Sequence, residues 1–509
     1  MANSIMDSLK RMTNKAVTEN GAIAKKSTLD AVYDLFAFGG AYRAKSDMDC
    51  QLLFKKAYKE DPVLAIKCLF YLRDITQGQG ERRFFRTCYQ WLANNDKDMA
   101  SRNLKYIADF GRYDDLIYST IDTPIENIAL DMVAKQLKLD MECKTPSLLA
   151  KWVPSCNASS KITISTGNRI RKYMNLTHKE YRKMLSDLRT KINIVEKLMS
   201  ENRWDEIEFD KLPSLAGIKY KNAFARRDII KKKYETFAKD KHTTVNAKTL
   251  YPYDVVRQIT GKLDYRNKFF GDETERNMIN KYWENIPDFL ADSDENIMCV
   301  VDTSGSMTWQ GEGQVKPIDV AVSLGLYAAQ RNKGAFANHY ISFSREPQFV
   351  ECEGIDFVDT VERIVKTNLC ENTDLDKVFD LLLNTIKGGA KKEDLPSRII
   401  VISDMQIDEA SGYTSGLWQK TINETKWSQE NAKMNMEIIR EKWAKEGVEI
   451  PKLYYWNVNA KNPVILDSGD DVSFVSGCSP VLFEGICRGV TGKALCLEKL
   501  NSQRYEKIC

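Results

Sequence analysis

Residues 297–307 read Ile297-Met298-Cys299-Val300-Val301-Asp302-Thr303-Ser304-Gly305-Ser306-Met307. Five consecutive residues with no polar interruption fit a strand buried on both faces, as in a parallel sheet. The character then changes at Asp302. A carboxylate is followed by hydroxyls at alternate positions, Ser304 and Ser306, while Gly305 lets the loop turn back on itself. This spacing can aim three hard oxygen donors at one point. Such a set suits Mg²⁺, which is small and takes near-octahedral oxygen coordination.

Working outward, three further apolar runs are strand candidates: His339-Tyr340-Ile341-Ser342-Phe343, Arg398-Ile399-Ile400-Val401-Ile402 and Leu453-Tyr454-Tyr455-Trp456-Asn457-Val458. Helical periodicity lies between them at 316–332, 375–387 and 428–446. Buried strands alternating with helices predict an α/β domain with a mainly parallel sheet, and ligands of such sheets sit at the carboxyl ends of strands. Two more loops fall there. Asn372-Thr373-Asp374 leads into a helix and offers the Thr373 hydroxyl, and Ile402-Ser403-Asp404 ends a strand on a carboxylate positioned to act through water. Asp408, a nearby base, reads as a loop or helix-start residue.

Upstream of this region the pattern differs. Segments such as LDAVYDLFAFGGAYR, ERRFFRTCYQWLANN and YRKMLSDLRTKINIVEKLMSENRW repeat apolar residues at three and four, the sign of amphipathic helices. Asp61 reads as an N-cap with Pro62 at the first helical position, and Gln77-Gly78-Gln79-Gly80 separates that helix from the next. The expected division is a helical domain, 1–290, and an α/β domain, 291–509. Charge divides the same way. Residues 1–290 carry 51 Lys and Arg against 38 Asp and Glu, whereas 291–509 carry 24 against 33. Within 151–250 the balance is 23 to 11, a field that attracts phosphate backbones and releases their counterions.

The length of 509 residues exceeds what one core ordinarily spans. No apolar run approaches the roughly 20 residues that cross a bilayer, and the N-terminal residues lack an apolar signal core, so a soluble cytoplasmic protein is expected. The 12 cysteines are scattered without zinc-knuckle spacing and read as free thiols. Only His178, His242 and His339 are present, far apart, which leaves little material for a Ser-His-Asp triad. With no Walker loop and no close carboxylate pair of the two-metal kind, the chain reads as a non-enzyme.

Asp302, Ser304, Ser306, Thr373 and Asp404, in that order, resemble the five positions of the metal-ion-dependent adhesion site of von Willebrand factor A domains. The resemblance implies a bound Mg²⁺ with one position left open for an Asp or Glu of a protein partner. Other segments extend the likeness over nearly the whole chain: Arg73-Asp74-Ile75 with Gly78 and Gly80-Glu81-Arg82, Gly111-Arg112-Tyr113-Asp114-Asp115-Leu116, Lys151-Trp152-Val153-Pro154-Ser155, Tyr181-Arg182-Lys183 through Ser186-Asp187-Leu188-Arg189, Leu212-Pro213-Ser214, Tyr455-Trp456-Asn457-Val458 and Val475-Ser476-Gly477. Together they resemble an uncharacterised family of phages, plants and other organisms that is itself similar to the Ro (TROVE) proteins. Those consist of HEAT-like helical repeats closed by an A domain and bind small structured or non-coding RNA. The resemblance thus implies RNA as partner and, as phosphate contacts, Arg82, Arg83, Arg86, Lys151, Arg169, Arg171, Lys172, Arg182, Lys183, Arg226 and Arg227, with Trp152 or Tyr173 stacking on bases. The bland reading of Gly111-Arg112-Tyr113-Asp114-Asp115, a capped helix start with a structural Arg-Asp pair, outweighs direct RNA contact there. The competing function is a protein-interaction scaffold that captures an acidic partner residue through the metal, without RNA.

Overall fold

The computed structural model describes residues 4–192, 194–308, 315–343, 347–367, 374–407, 433–461, 463–467, 469 and 471–509. Thr373, Asp408 and the expected helical residues 428–432 lie outside them. Two compact units emerge, interleaved along the chain. One comprises Met1–Ala65, Leu250–Asp272 and Ile286–Ser502, and the other Ile66–Thr249, Glu273–Asn285 and Gln503–Cys509.

The first unit holds an antiparallel pair, β1 (Lys15–Val17) and β2 (Ile23–Lys25), and a six-stranded sheet. Its strands are β3 (Ile297–Asp302), β4 (His339–Phe343), β5 (Gln348–Glu351), β6 (Arg398–Ser403), β7 (Lys452–Asn457) and β8 (Val472–Ser476), in the order β5-β4-β3-β6-β7-β8. All neighbours are parallel except β5, which runs antiparallel along β4. Every residue of β3, β6 and β8 is buried, which is why β3 and β6 read as nearly continuous apolar runs, whereas Ser473 and Ser476 interrupt β8. Helices Pro317–Arg331, Leu375–Lys387 and Asn435–Lys445 lie close to the expected positions. After β3 the chain moves to β4 on one side, and after β6 it moves to β7 on the other. The ends of β3 and β6, adjacent in the sheet, therefore form the topological switch point where open α/β sheets bind ligands.

A single cut at 290/291 does not describe this arrangement, because the first 65 residues belong with the sheet. The reason is apolar area. Helix Ala31–Gly39 buries Val32, Leu35, Phe36, Ala37 and Phe38, and its neighbour is β8, a fully buried strand with no further strand to cover it. Phe474 N–H donates to Tyr33 Oη at 2.8 Å, and Gly40 N–H donates to Ser476 Oγ at 3.0 Å. At Gly40 a Cβ would stand 2.6 Å from the Ser476 carbonyl oxygen, so only glycine permits the approach.

The second unit is helical, with elements including Arg82–Asn95, Glu126–Glu142, Lys161–Tyr173, His178–Ile192, Ser214–Arg226 and Glu273–Glu284. Aromatic edges and faces pack its core: Phe70 meets Phe85 at 5.3 Å and Phe110 stacks on Tyr505 at 5.5 Å. Gly78 occurs where a Cβ would collide with the Tyr71 carbonyl oxygen at 1.9 Å, which accounts for the glycine-containing link between Pro62–Arg73 and Arg82–Asn95. Asp61 does cap the former helix, accepting Leu64 N–H at 2.9 Å. No described helix is long and apolar enough to cross a membrane.

In the first unit Asp254 opens helix Pro252–Thr260, accepting Tyr251 N–H at 3.1 Å. Burial pushes its carboxyl from 3.8 up to about 6, against the opposing pull of that hydrogen bond. The folded chain thus holds this proton more tightly than the unfolded chain. The resulting stability is complete below the unfolded value and is lost as pH rises from about 4 through about 6. Asp254→Asn keeps an oxygen for Tyr251 N–H without the buried charge. It should raise unfolding free energy by about 1–2 kcal/mol at pH 7.5 and by nothing at pH 4. Denaturant titrations at the two pH values check this, and an equal effect at both would contradict it.

Candidate functional site

Two places bring together the residues singled out in the sequence, one in each unit. In the α/β unit, Asp302 and Asp404 follow from strands that are neighbours: Asp302 ends β3 and Asp404 comes directly after β6. Both are buried, with relative exposures of 0% and 1%. Ser304 N–H donates to Asp302 Oδ1 at 2.9 Å, and Ser403 Oγ donates to Asp302 Oδ2 at 2.5 Å. Ser304 Oγ stands 3.1 Å from Ser306 Oγ, and the Ser306 hydroxyl in turn bonds the Asp404 carboxylate. Gln406 N–H donates to Asp404 Oδ1 at 3.2 Å across a turn in which Met405 takes a left-handed φ of 67°. Four of the five expected metal-site residues are therefore linked into one hydrogen-bonded cluster. The fifth, Thr373, lies outside the described residues.

Electrostatics agrees with the donor chemistry. Burial, then the charge of Asp404, pushes the Asp302 carboxyl well above the ordinary carboxylate range. Burial likewise raises Asp404, opposed by the Gln406 N–H and the Ser306 hydroxyl. Two like charges shut away from water form a cost that a cation would remove. Thr303 Oγ1, in the same loop, is buried and has no hydrogen-bond partner among the described residues. This set of carboxylate and hydroxyl oxygens fits a small hard dication. It includes neither histidine nor cysteine. Among the described residues, no three of His, Cys, Asp and Glu cluster as a metal site. His339 packs on Phe349 at 4.5 Å with Nδ1 2.7 Å from the Ala337 carbonyl oxygen, a packing histidine as its isolation implied.

In the helical unit three of the quoted motifs converge. Arg73 Nη2 pairs with Asp115 Oδ2 at 2.6 Å, Arg86 Nε with Asp115 Oδ1 at 2.7 Å, and Arg86 Nη2 with Asp114 Oδ2 at 2.8 Å. Arg112 Nε donates to Asp114 Oδ1 at 2.8 Å, and its backbone N–H to Asp115 Oδ2 at 2.9 Å, which is the capped helix start expected there. The Arg112 guanidinium also covers one face of Trp152 at 4.0 Å, with the Lys151 ammonium 5.3 Å from the same ring. Arg189, part of a quoted segment but given no site role from the sequence, holds this turn by donating to the Ala150 and Val153 carbonyls at 2.8 and 3.0 Å. Tyr181 Oη adds a bond to the Pro154 carbonyl at 2.9 Å. Only the presence of an arginine in the helical motif 178–192 hinted at this clamp.

The remaining expected phosphate contacts sort into two groups. Arg169 spreads over Glu126 at 2.8 and 2.9 Å and Asp122 at 2.7 Å, and Arg171 donates to the Leu176 carbonyl at 2.7 Å. Arg227 lies over the Trp204 ring at 5.1 Å. These three have structural employment. By contrast Lys172, Arg182, Lys183 and Arg226 are exposed and make no ion pair among the described residues, and Arg83 is exposed as well. Tyr173 keeps 40% of its surface, whereas Trp152 is half-buried.

A helical unit with several exposed cations and an α/β unit carrying an oxygen cluster at its switch point define a two-unit protein of mixed architecture. The chain belongs to the family described as domain of unknown function DUF2828, whose model matches residues 18–117 and 112–295. A second model, domain of unknown function DUF7788, matches residues 296–489. The uncharacterized protein L728 of Acanthamoeba polyphaga mimivirus is 28% identical over 521 residues, covering 93% of this chain and 85% of that protein. The crystal structure of the RO (RSR) protein of Deinococcus radiodurans superposes with a TM-score of 0.42 at 11% identity, over 91% of this chain and 100% of that one. A match this loose carries no argument about shared chemistry.

Asp115 is wholly buried and accepts from two guanidiniums and a backbone amide. Asp115→Ala would leave Arg73, itself 3% exposed at its side chain, buried without its anion. Loss of about 3–5 kcal/mol of unfolding free energy is expected, read by chemical denaturation of the full chain. A loss below about 1 kcal/mol, the worth of a surface pair, would show that the network is not sealed from water.

Proposed function

We propose that this chain is a non-enzymatic, Ro-like RNA-binding protein. In this reading the helical unit, HEAT-like in kind, holds small structured or non-coding RNA. The α/β unit, of the von Willebrand factor A type, carries Mg²⁺ and supports recruitment of a partner. The observation that carries the reading is the set of exposed cations Lys172, Arg182 and Lys183, without an ion pair among the described residues, on the successive helices Lys161–Tyr173 and His178–Ile192, joined by Arg226. A surface cation without a carboxylate partner gives up only water and a counterion when it meets a phosphate. The charge excess of 151–250 and the resemblance running from Arg73 to Gly477 point the same way. Replacing Lys172, Arg182 and Lys183 together by Gln should weaken binding to structured RNA uniformly across sequences. It should also flatten the plot of log affinity against log salt by about one per lost phosphate contact, or about three. Gel shifts at several salt concentrations measure this, and an unchanged slope would remove these helices from the interface.

Asp302, Ser304, Ser306 and Asp404 would hold the ion, with Thr373 as the expected fifth residue. When bound, Mg²⁺ supplies a positive centre that a partner's Asp or Glu can occupy. The buried carboxylate pair also favours a second reading, a scaffold that captures an acidic partner without RNA. Saturating Mg²⁺ should stabilise the full chain, by about 2.7 kcal/mol at a hundredfold excess over Kd. Asp302→Asn should abolish that gain while leaving the metal-free protein no less stable and its RNA affinity intact. Thermal melts with and without Mg²⁺ test the site, and a gain that survives the substitution would place the ion elsewhere. Loss of every acidic partner together with indifference to RNA would favour the scaffold.

A further inference from the structure

The convergent arginines have a layered arrangement. Asp115 and Asp114, the acids of the cluster, are 0% and 9% exposed at their side chains, whereas Arg86 and Arg112 keep 22% and 24%. Three guanidiniums, those of Arg73, Arg86 and Arg112, share these two carboxylates. Arg82 stands four residues before Arg86 on helix Arg82–Asn95, hence on the same face. It is exposed and makes no hydrogen bond or ion pair among the described residues. Crowding by protein, then the charges of Arg112 and Arg86, depress its guanidinium below the ordinary value and outweigh the opposing pull of the Asp114 carboxylate. The negative charge of the cluster thus points inward and the positive charge outward. Aromatic rings brace the outward layer, Tyr118 beneath Arg86 at 4.8 Å and Trp152 beneath Arg112 at 4.0 Å.

We infer that Arg82, Arg86 and Arg112 form a receptor for the terminal phosphomonoester of an RNA strand, an inference that rests on the RNA reading above. An internal phosphodiester carries one negative charge, and a terminal phosphate carries about 1.5–2 at neutral pH with a third free oxygen. Several planar guanidiniums in one cluster favour the more highly charged group with more acceptors.

The test uses the full chain and one oligoribonucleotide in three forms: with a 5′-phosphate, with a 3′-phosphate, and with hydroxyls at both ends. Fluorescence anisotropy should show one phosphorylated form binding about tenfold more tightly than the hydroxyl form, and the arm that does so identifies the end recognised. Arg82→Gln, at an exposed residue with no hydrogen bond or ion pair among the described residues, should erase that advantage, so that the phosphorylated and hydroxyl forms bind the variant within about twofold of each other. Equal affinity for all three forms, or an advantage that survives Arg82→Gln, overturns the receptor and leaves RNA binding standing. Absence of binding by every form overturns the RNA reading itself.

Discussion

A carboxylate removed from water must meet a cation or enough hydrogen-bond donors to hold its charge, and both candidate regions of this chain are organised by that constraint. In the helical unit the demand is met from within. Arg73 and Arg86 close on Asp115, and Arg86 and Arg112 close on Asp114. In the α/β unit, among the described residues, Asp302 and Asp404 accept from hydroxyls and backbone amides, and the charge of Asp404 raises the Asp302 carboxyl further. The two sites therefore differ in what they lack. The helical cluster is neutralised inside and positive outside, which suits an anion, whereas the sheet cluster is short of a positive charge.

The fold makes that shortage possible. A parallel sheet buried on both faces delivers its strand ends into a dry crevice only where the chain direction reverses, between β3 and β6. Side chains placed there keep their charge only if the site supplies compensation. The loop after β6 is tied in turn to the first strand pair. Thr18 Oγ1 donates to the Ile407 carbonyl at 2.7 Å, and Glu19 N–H donates to Gln406 Oε1 at 2.9 Å. The N-terminal residues thus help fix the turn that carries Asp404, another reason that they belong with the sheet and not with the helices that follow them in sequence.

Legibility in the sequence followed the strength of local constraint. The runs that became β3, β4, β6 and β7 were readable because a strand buried on both faces must be apolar throughout. β5 was not, since an edge strand such as Gln348-Phe349-Val350-Glu351 is exposed at three of its four positions. β8 was not either, because Ser473 and Ser476 interrupt its apolar character, and their burial is made tolerable by partners distant in sequence such as Gly492 N–H on Ser473 Oγ at 2.7 Å. Asp302, Ser304, Ser306 and Asp404 were legible because hard-donor spacing is local within a loop and strand ends can be counted. Ser403, which donates to Asp302, was read only as part of a strand end. The association of residues 1–65 with the sheet was out of reach, because helical periodicity says that a face is buried but not against what.

Charge shows the same limit from the other side. The 23 basic residues within 151–250 overstate the field that a ligand would meet, because folding commits many of them. Arg169 is spent on Asp122 and Glu126, Arg189 on carbonyls of the 149–155 turn, Arg203 on Glu201 and Glu206, and Lys221 on Glu275. What remains is a shorter set, Lys172, Arg182, Lys183 and Arg226 among the expected contacts, with Arg82 at the rim of the arginine cluster. A sequence gives the total charge of a segment, whereas recognition depends on the part left over after the protein has paired its own ions. That remainder is small enough to be removed residue by residue without dismantling the helices that carry it, because none of its members holds an ion pair among the described residues.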